Sequence, residues 1–192
     1  MILQTIYRSI NILKLEKNTY REISKDKSSI YGSGIVMLFA GLVNVYLFKI
    51  YISPTLPNEI PLTPILLTWI FFNWYVFSNV MIILAKAFTN PVTLIKNPKL
   101  NKNFKNKKVA LSLVGFSNTA EIFKIFIIFF PNFIVIISWG VLMLVIASQV
   151  VGVKQIYNFD KISSAVGVVI TSYIAQFFII GLLVFFLIKL AH

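Results

Sequence analysis

Five long apolar stretches, separated by short polar connections, restrict this chain more than any other feature. An α-helix needs about 20 mostly apolar residues to cross the hydrocarbon core of a bilayer. No water reaches that core, so a spanning segment must satisfy its own backbone N–H and C=O groups. By this ruler the spans fall at about residues 34–52, 64–85, 109–130, 133–151 and 165–190. The 192 residues are 58% hydrophobic and 12% charged, more apolar surface than a soluble domain of this length can bury. The expected fold is all-α: a multi-pass transmembrane helical bundle of five spans over 34–190. Two short interfacial helices in a cytoplasmic segment, 1–33, are expected to precede it.

Lys and Arg placement orients the bundle, because cytoplasmic loops collect these residues. Six precede the first span: Arg8, Lys14, Lys17, Arg21, Lys25 and Lys27. Seven separate the second span from the third, Lys86 and the run from Lys96 to Lys108, and Lys154 and Lys161 follow the fourth. Fifteen of the 18 basic residues therefore share one side. This predicts a cytoplasmic N-terminus and an outer C-terminus, in the cell membrane if the source is prokaryotic. The third span carries Ser117, Asn118, Thr119, Glu121 and Lys124, all costly against lipid. A rival arrangement makes Val109–Glu121 interfacial and Ile125–Val151 one span bent at Pro131, giving four crossings.

In the N-terminal segment, Leu3, Ile6, Tyr7, Ile10 and Leu13 follow helical spacing with Arg8 and Lys14 between them. This pattern predicts a helix lying on the membrane, or one packed on the inner surface of the bundle. Thr19 and Glu22 read as a capping box, with Tyr20 and Ile23 as the apolar face of a second helix. Arg8 interrupts the first apolar run and no small-residue cleavage site follows, so the first span is expected to serve as an uncleaved anchor.

The sequence offers little for bond-breaking. It has no cysteine, which excludes disulfides, thiolate metal sites and cysteine nucleophiles. The single histidine, His192, lies beyond the last span, so a zinc-binding His-Glu-x-x-His helix is absent. Ser33, between Gly32 and Gly34, has no histidine within the spans to activate it, and the two glycines read as a flexible lead-in to the first span. Asp26 and Asp160 both stand in polar segments. No catalytic residue, metal or cofactor is expected.

Three features point to binding instead. Glu121 and Lys124, at i and i+3, share a helix face and can neutralise each other at membrane depth, or line a route for an ion. On other spans, Asn44, Asn73, Asn79 and Gln176 could extend such a route. Lys96, Lys99, Lys102, Lys105, Lys107 and Lys108 form an acid-free loop suited to anionic lipid, at about 1 kcal/mol per lysine, besides signalling topology. Phe104 is its lone aromatic, so nucleic acid is not an expected partner. Ser163, Gly167, Thr171 and Ala175 recur every four residues. Such a stripe of small side chains lets helices approach closely, either within the chain or in self-association with copies or other membrane proteins.

Several stretches resemble the Yip domain, the family of Ypt-interacting proteins. Asn18-Thr19-Tyr20-Arg21-Glu22-Ile23 is similar to the Pro-x-x-Thr-Phe-Arg-x-Ile stretch of its prokaryotic members. Ser29-Ile30-Tyr31-Gly32-Ser33 resembles the Asp-Leu-Tyr-Gly-Pro that leads into the first span of eukaryotic members. Val114-Gly115-Phe116-Ser117 resembles the Gly-Tyr that opens the third span, and Val151-Gly152-Val153-Lys154 the end of the fourth. The resemblance implies five spans, a cytoplasmic N-terminus and a membrane-organising role. The function expected is a non-enzymatic scaffold or adaptor that binds partner proteins and anionic lipid from the cytoplasmic side. The alternatives are a small transporter or permeability subunit using Glu121 and Lys124, or an accessory subunit of a larger membrane complex.

Overall fold

The computed structural model describes residues 1–51, 62–89 and 98–191, all helices and short connections with no strand among them. Two short helices, α1 (Ile2–Leu13) and α2 (Lys17–Lys25), precede α3 (Ser29–Tyr51) and α4 (Leu62–Ala87). A short α5 (Pro98–Lys105) leads into α6 (Lys107–Ser117). The chain continues as a 3-10 segment, Asn118–Ile125, and the single turn α7 (Phe126–Phe129). Pro131–Phe133 then lead into α8 (Ile134–Ile156), and α9 (Ile162–Ala191) ends the bundle. Among the described residues, five helices are long and apolar enough to cross a membrane: α3, α4, the run Lys107–Phe129, α8 from Pro131, and α9. The protein is a multi-pass membrane bundle of the expected all-α class.

The third and fourth spans form a hairpin, not one bent helix. Phe130 leaves the helical region (φ −132°, ψ 64°) immediately before Pro131, where the pyrrolidine ring disfavours α geometry in the preceding residue. Positions at matching distances on either side of this corner then meet. Ala120 packs with Val141 and Val145, and Leu113 fills the space above Gly152, where any added Cβ would overlap it. Only antiparallel neighbours produce such pairs, which rules out the four-crossing arrangement.

Two sequence expectations about the N-terminal half are corrected. The first span begins at Ser29, so Gly32, Ser33 and Gly34 lie within the helix and are not a flexible lead-in. Close approach explains Gly32 and Ser33 but not Gly34: a Cβ at Gly32 would stand 2.7 Å from Thr5 Oγ1, one at Gly115 2.6 Å from the Ser33 Cβ, and one at Gly34 would meet nothing within 4 Å. The Thr19–Glu22 capping box does not form. Leu15 takes a left-handed conformation (φ 56°) and the Glu16 N–H donates to the Asn11 carbonyl at 3.0 Å. That turn starts α2 at Lys17, with no side-chain cap, so Thr19 is an interior helical residue and 2% exposed.

The core gathers at the end of the bundle that carries α2 and α5. Tyr20 and Ile23 of α2 are buried there with Leu113, Phe116, Val153 and Tyr157. The lysine-rich stretch, expected as a loop, is partly the helix α5. Leu100 and Phe104, one turn apart, are its buried anchors. Phe104 stacks on Tyr157 with ring centroids 4.7 Å apart, and Asn103 Nδ2 donates to the Ile156 carbonyl at 3.0 Å.

Candidate functional site

The third span changes from α to 3-10 geometry where its polar residues begin. Asn118 Nδ2 donates to the Val114 carbonyl at 2.7 Å and Thr119 Oγ1 to the Phe116 carbonyl at 2.6 Å. Side chains that bond preceding carbonyls compete with the backbone ladder and bend it. The resulting 3-10 run covers eight residues, long for a conformation usually confined to three or four. With three residues per turn, i and i+3 eclipse. Asn118, Glu121 and Lys124 therefore stand in one row.

Lys124 Nζ meets Glu121 Oε2 at 2.5 Å, with the two side chains 22% and 15% exposed. The first span supplies a third member. Asn44 Nδ2 donates to Glu121 Oε2 at 3.0 Å, and Lys124 Nζ donates to Asn44 Oδ1 at 3.3 Å. A carboxylate and an ammonium at membrane depth are costly singly. Here each meets the other and both meet an amide that donates to one and accepts from the other. Asn44 and Lys124 line a cleft of about 380 Å³ that also includes Tyr51, Ile70 and Ser138.

A second polar cluster lies one 3-10 turn away, where all five spans converge. Asn118 lines it together with Asn73, Trp74, Gln149, Tyr173 and Gln176, around a pocket of about 300 Å³. Gln176 Nε2 donates to Asn73 Oδ1 at 3.0 Å, joining α9 to α4, and the Trp74 indole N–H donates to the Leu111 carbonyl at 2.9 Å. Gln149 is 1% exposed and its Oε1 has no hydrogen-bond partner among the described residues. By contrast Asn79, Ser78, Ser148 and Ser172 bond carbonyls of their own helices.

Outside the spans, Arg8 fastens α1 to the start of α3. Its guanidinium donates to Asp26 Oδ2 at 2.7 Å and to Ser29 Oγ at 3.0 Å, with the Arg8 side chain 6% exposed. The Ser28 hydroxyl and then its N–H, with Arg8 adding to them, hold the Asp26 carboxyl below its ordinary value. Burial pushes the Tyr20 hydroxyl up.

Of the six loop lysines, Lys107 and Lys108 are exposed at the start of α6. Asn106 caps that helix by accepting from the Lys108 N–H at 3.2 Å. Lys96 and the side chains of Lys99, Lys102 and Lys105 lie outside the described residues. In the α9 stripe, Ser163 is exposed while Gly167, Thr171 and Ala175 are half-buried. Gly167 faces Phe88, whose Cε1 would stand 3.1 Å from an added Cβ. The fully buried positions of α9 lie beside the stripe, at Ala165, Val168, Val169 and Ser172.

Sequence reasoning named Glu121 and Lys124 but missed the link to Asn44, the Arg8–Asp26 pair and the pocket around Gln149. A glutamine inside an otherwise apolar fourth span was the available signal for the last. No family model, curated protein or solved structure matches this chain.

Proposed function

We propose that this protein is a non-enzymatic, Yip-like membrane scaffold or adaptor that gathers partner proteins and anionic lipid at its cytoplasmic face. The observation that supports this reading is the surface at one end of the bundle. Lys14, Lys17, Arg21, Lys25, Lys27, Lys86, Lys107, Lys108 and Lys161 are exposed on elements held there by the Tyr20, Phe104 and Phe88 contacts. Beside them α1 turns Ile2, Leu3, Ile6, Tyr7 and Ile10 outward. Basic side chains next to an outward apolar helix face match an anionic bilayer surface, with each lysine or arginine adding about 1 kcal/mol near it. The same excess of positive charge supports reading this end, and the N-terminus, as cytoplasmic.

Binding to vesicles tests the reading. Protein in neutral nanodiscs should retain phosphatidylserine vesicles, release them as salt rises, and leave phosphatidylcholine vesicles alone. Replacing Arg21, Lys25, Lys107 and Lys108 by Gln should weaken retention without lowering thermal stability. Equal retention of both vesicle types would overturn the proposal. Because the chain lacks cysteine, Lys25→Cys and Lys161→Cys report orientation cleanly. An impermeant thiol reagent should reach neither from outside intact cells.

A second reading, a small transporter, has one observation in its favour: the row Asn118, Glu121, Lys124 is completed by Asn44 from another span. Proton or cation flux in liposomes that vanishes in Glu121→Gln would replace the scaffold reading with this one.

A further inference from the structure

The pocket around Gln149 is unlike the rest of the interior. Every span contributes to it: Met37 from α3, Asn73 from α4, Asn118 from the third span, Gln149 from α8 and Tyr173 from α9. Met37, Phe77, Val114 and Gln149 are its buried floor, each no more than 5% exposed, while Trp69, at 38%, opens its rim. A volume of about 300 Å³ reaches the lower end of ordinary small-molecule sites.

Its chemistry is polar and uncharged. Four carboxamide residues, Asn73, Asn118, Gln149 and Gln176, line it with Tyr173 and other aromatic residues, and no Lys, Arg, Asp or Glu is among the lining residues. Each carboxamide offers both donors and acceptors. The rim amides are tied to one another and to backbone, as the Gln176–Asn73 and Asn118–Val114 bonds describe. Gln149 differs: it is buried and its Oε1 accepts from none of the described residues. An orphaned buried acceptor costs free energy that an apolar side chain of the same shape would not. Packing within the protein therefore leaves the Gln149 oxygen unsatisfied.

We propose that this pocket binds a small uncharged molecule carrying a hydroxyl or amide N–H on a compact apolar body. The donor of that molecule satisfies Gln149 Oε1, and its body packs between Trp69, Trp74 and Phe77. A charged molecule is excluded because no counter-charge lines the pocket to offset its desolvation.

Trp69 and Trp74 line the site, and Trp139, the third tryptophan, is 58% exposed on α8. Trp139→Phe therefore leaves an emission signal only from tryptophans that line the pocket. In nanodiscs, this variant should show a saturable emission change with benzamide. The isosteric benzoate and benzylamine should need about tenfold more, or give no saturable change. Adding Gln149→Leu should raise the benzamide midpoint about tenfold while the thermal midpoint stays level or rises. Gln176→Leu, at the rim, repeats the test should Gln149→Leu fail to fold. A linear response to benzamide, a midpoint indifferent to the folded glutamine variant, or equal binding of the charged isosteres would overturn the proposal.

Discussion

Helices α1 and α2 are neighbours, both amphipathic, yet they sit on the bundle the opposite way round. α2 buries Thr19, Tyr20 and Ile23 and shows Lys17, Arg21 and Lys25 to solvent. α1 buries Thr5, Arg8, Asn11 and Ile12 and turns Leu3, Ile6, Tyr7 and Ile10 outward. The difference lies in what each inward face meets. Tyr20 of α2 reaches the backbone opening at Gly152, where a Cβ would stand 2.9 Å from its Cδ1. Arg8 of α1 meets Asp26 and Ser29, two acceptors at the start of α3. In a soluble protein the apolar face of a helix has only the core to go to. Beside a bilayer it has two apolar environments, so the polar face is free to point inward wherever partners wait for it.

The largest expected effect is on α2. Tyr20→Ala removes a fully buried ring and should cost about 3–5 kcal/mol of unfolding free energy in mild detergent. Denaturant titration reads it directly. A loss below about 1 kcal/mol would mean that Tyr20 does not anchor α2, since large-to-small core changes cost more than that.

Next comes the polar anchor of α1. Arg8 is buried but Asp26 is 30% exposed, so the pair ranks between a buried and a surface ion pair, and Arg8→Met should cost about 1–3 kcal/mol. Arg8→Met with Asp26→Leu should restore part of that loss, whereas additive losses would show that the two do not interact. Acid sharpens the comparison. The folded Asp26 carboxyl titrates below its ordinary value of 3.8. Its contribution is therefore present above that pH and is lost as pH falls through the lower, folded value. The difference between wild type and Arg8→Met should narrow in that acid range, while the Tyr20→Ala deficit should not.

The smallest effect on stability belongs to the outward face of α1. Leu3 is 83% exposed and Ile6 50%, so replacing both with Gln should change unfolding free energy by less than about 0.5 kcal/mol. The same change should move a nitroxide at Tyr7→Cys from the lipid into water, measured by oxygen against nickel accessibility. A stability loss as large as that of Arg8→Met would show that this face packs on protein.

Much of the architecture was legible without the fold. Five apolar stretches of spanning length, the 3.6-residue spacing of Tyr20 and Ile23, and the i, i+3 placement of Glu121 and Lys124 are local properties. Backbone satisfaction in lipid leaves such stretches no alternative to helix or barrel. The hairpin at Pro131 was foreseen as the end of the third span, although only the pairing of Ala120 with Val141 and Val145 decided it against one bent helix. The tertiary structure alone decided which faces meet. It brought Asn44 to Glu121 across 77 residues of sequence, gathered Asn73, Asn118, Gln149, Tyr173 and Gln176 around one pocket, and docked α5 through Leu100 and Phe104. It also chose the inward face of α1. A span that is apolar on every side carries no amphipathic stripe to mark its inner face. Close packing and polar partners on neighbouring helices set that face, and both depend on residues far apart in the chain.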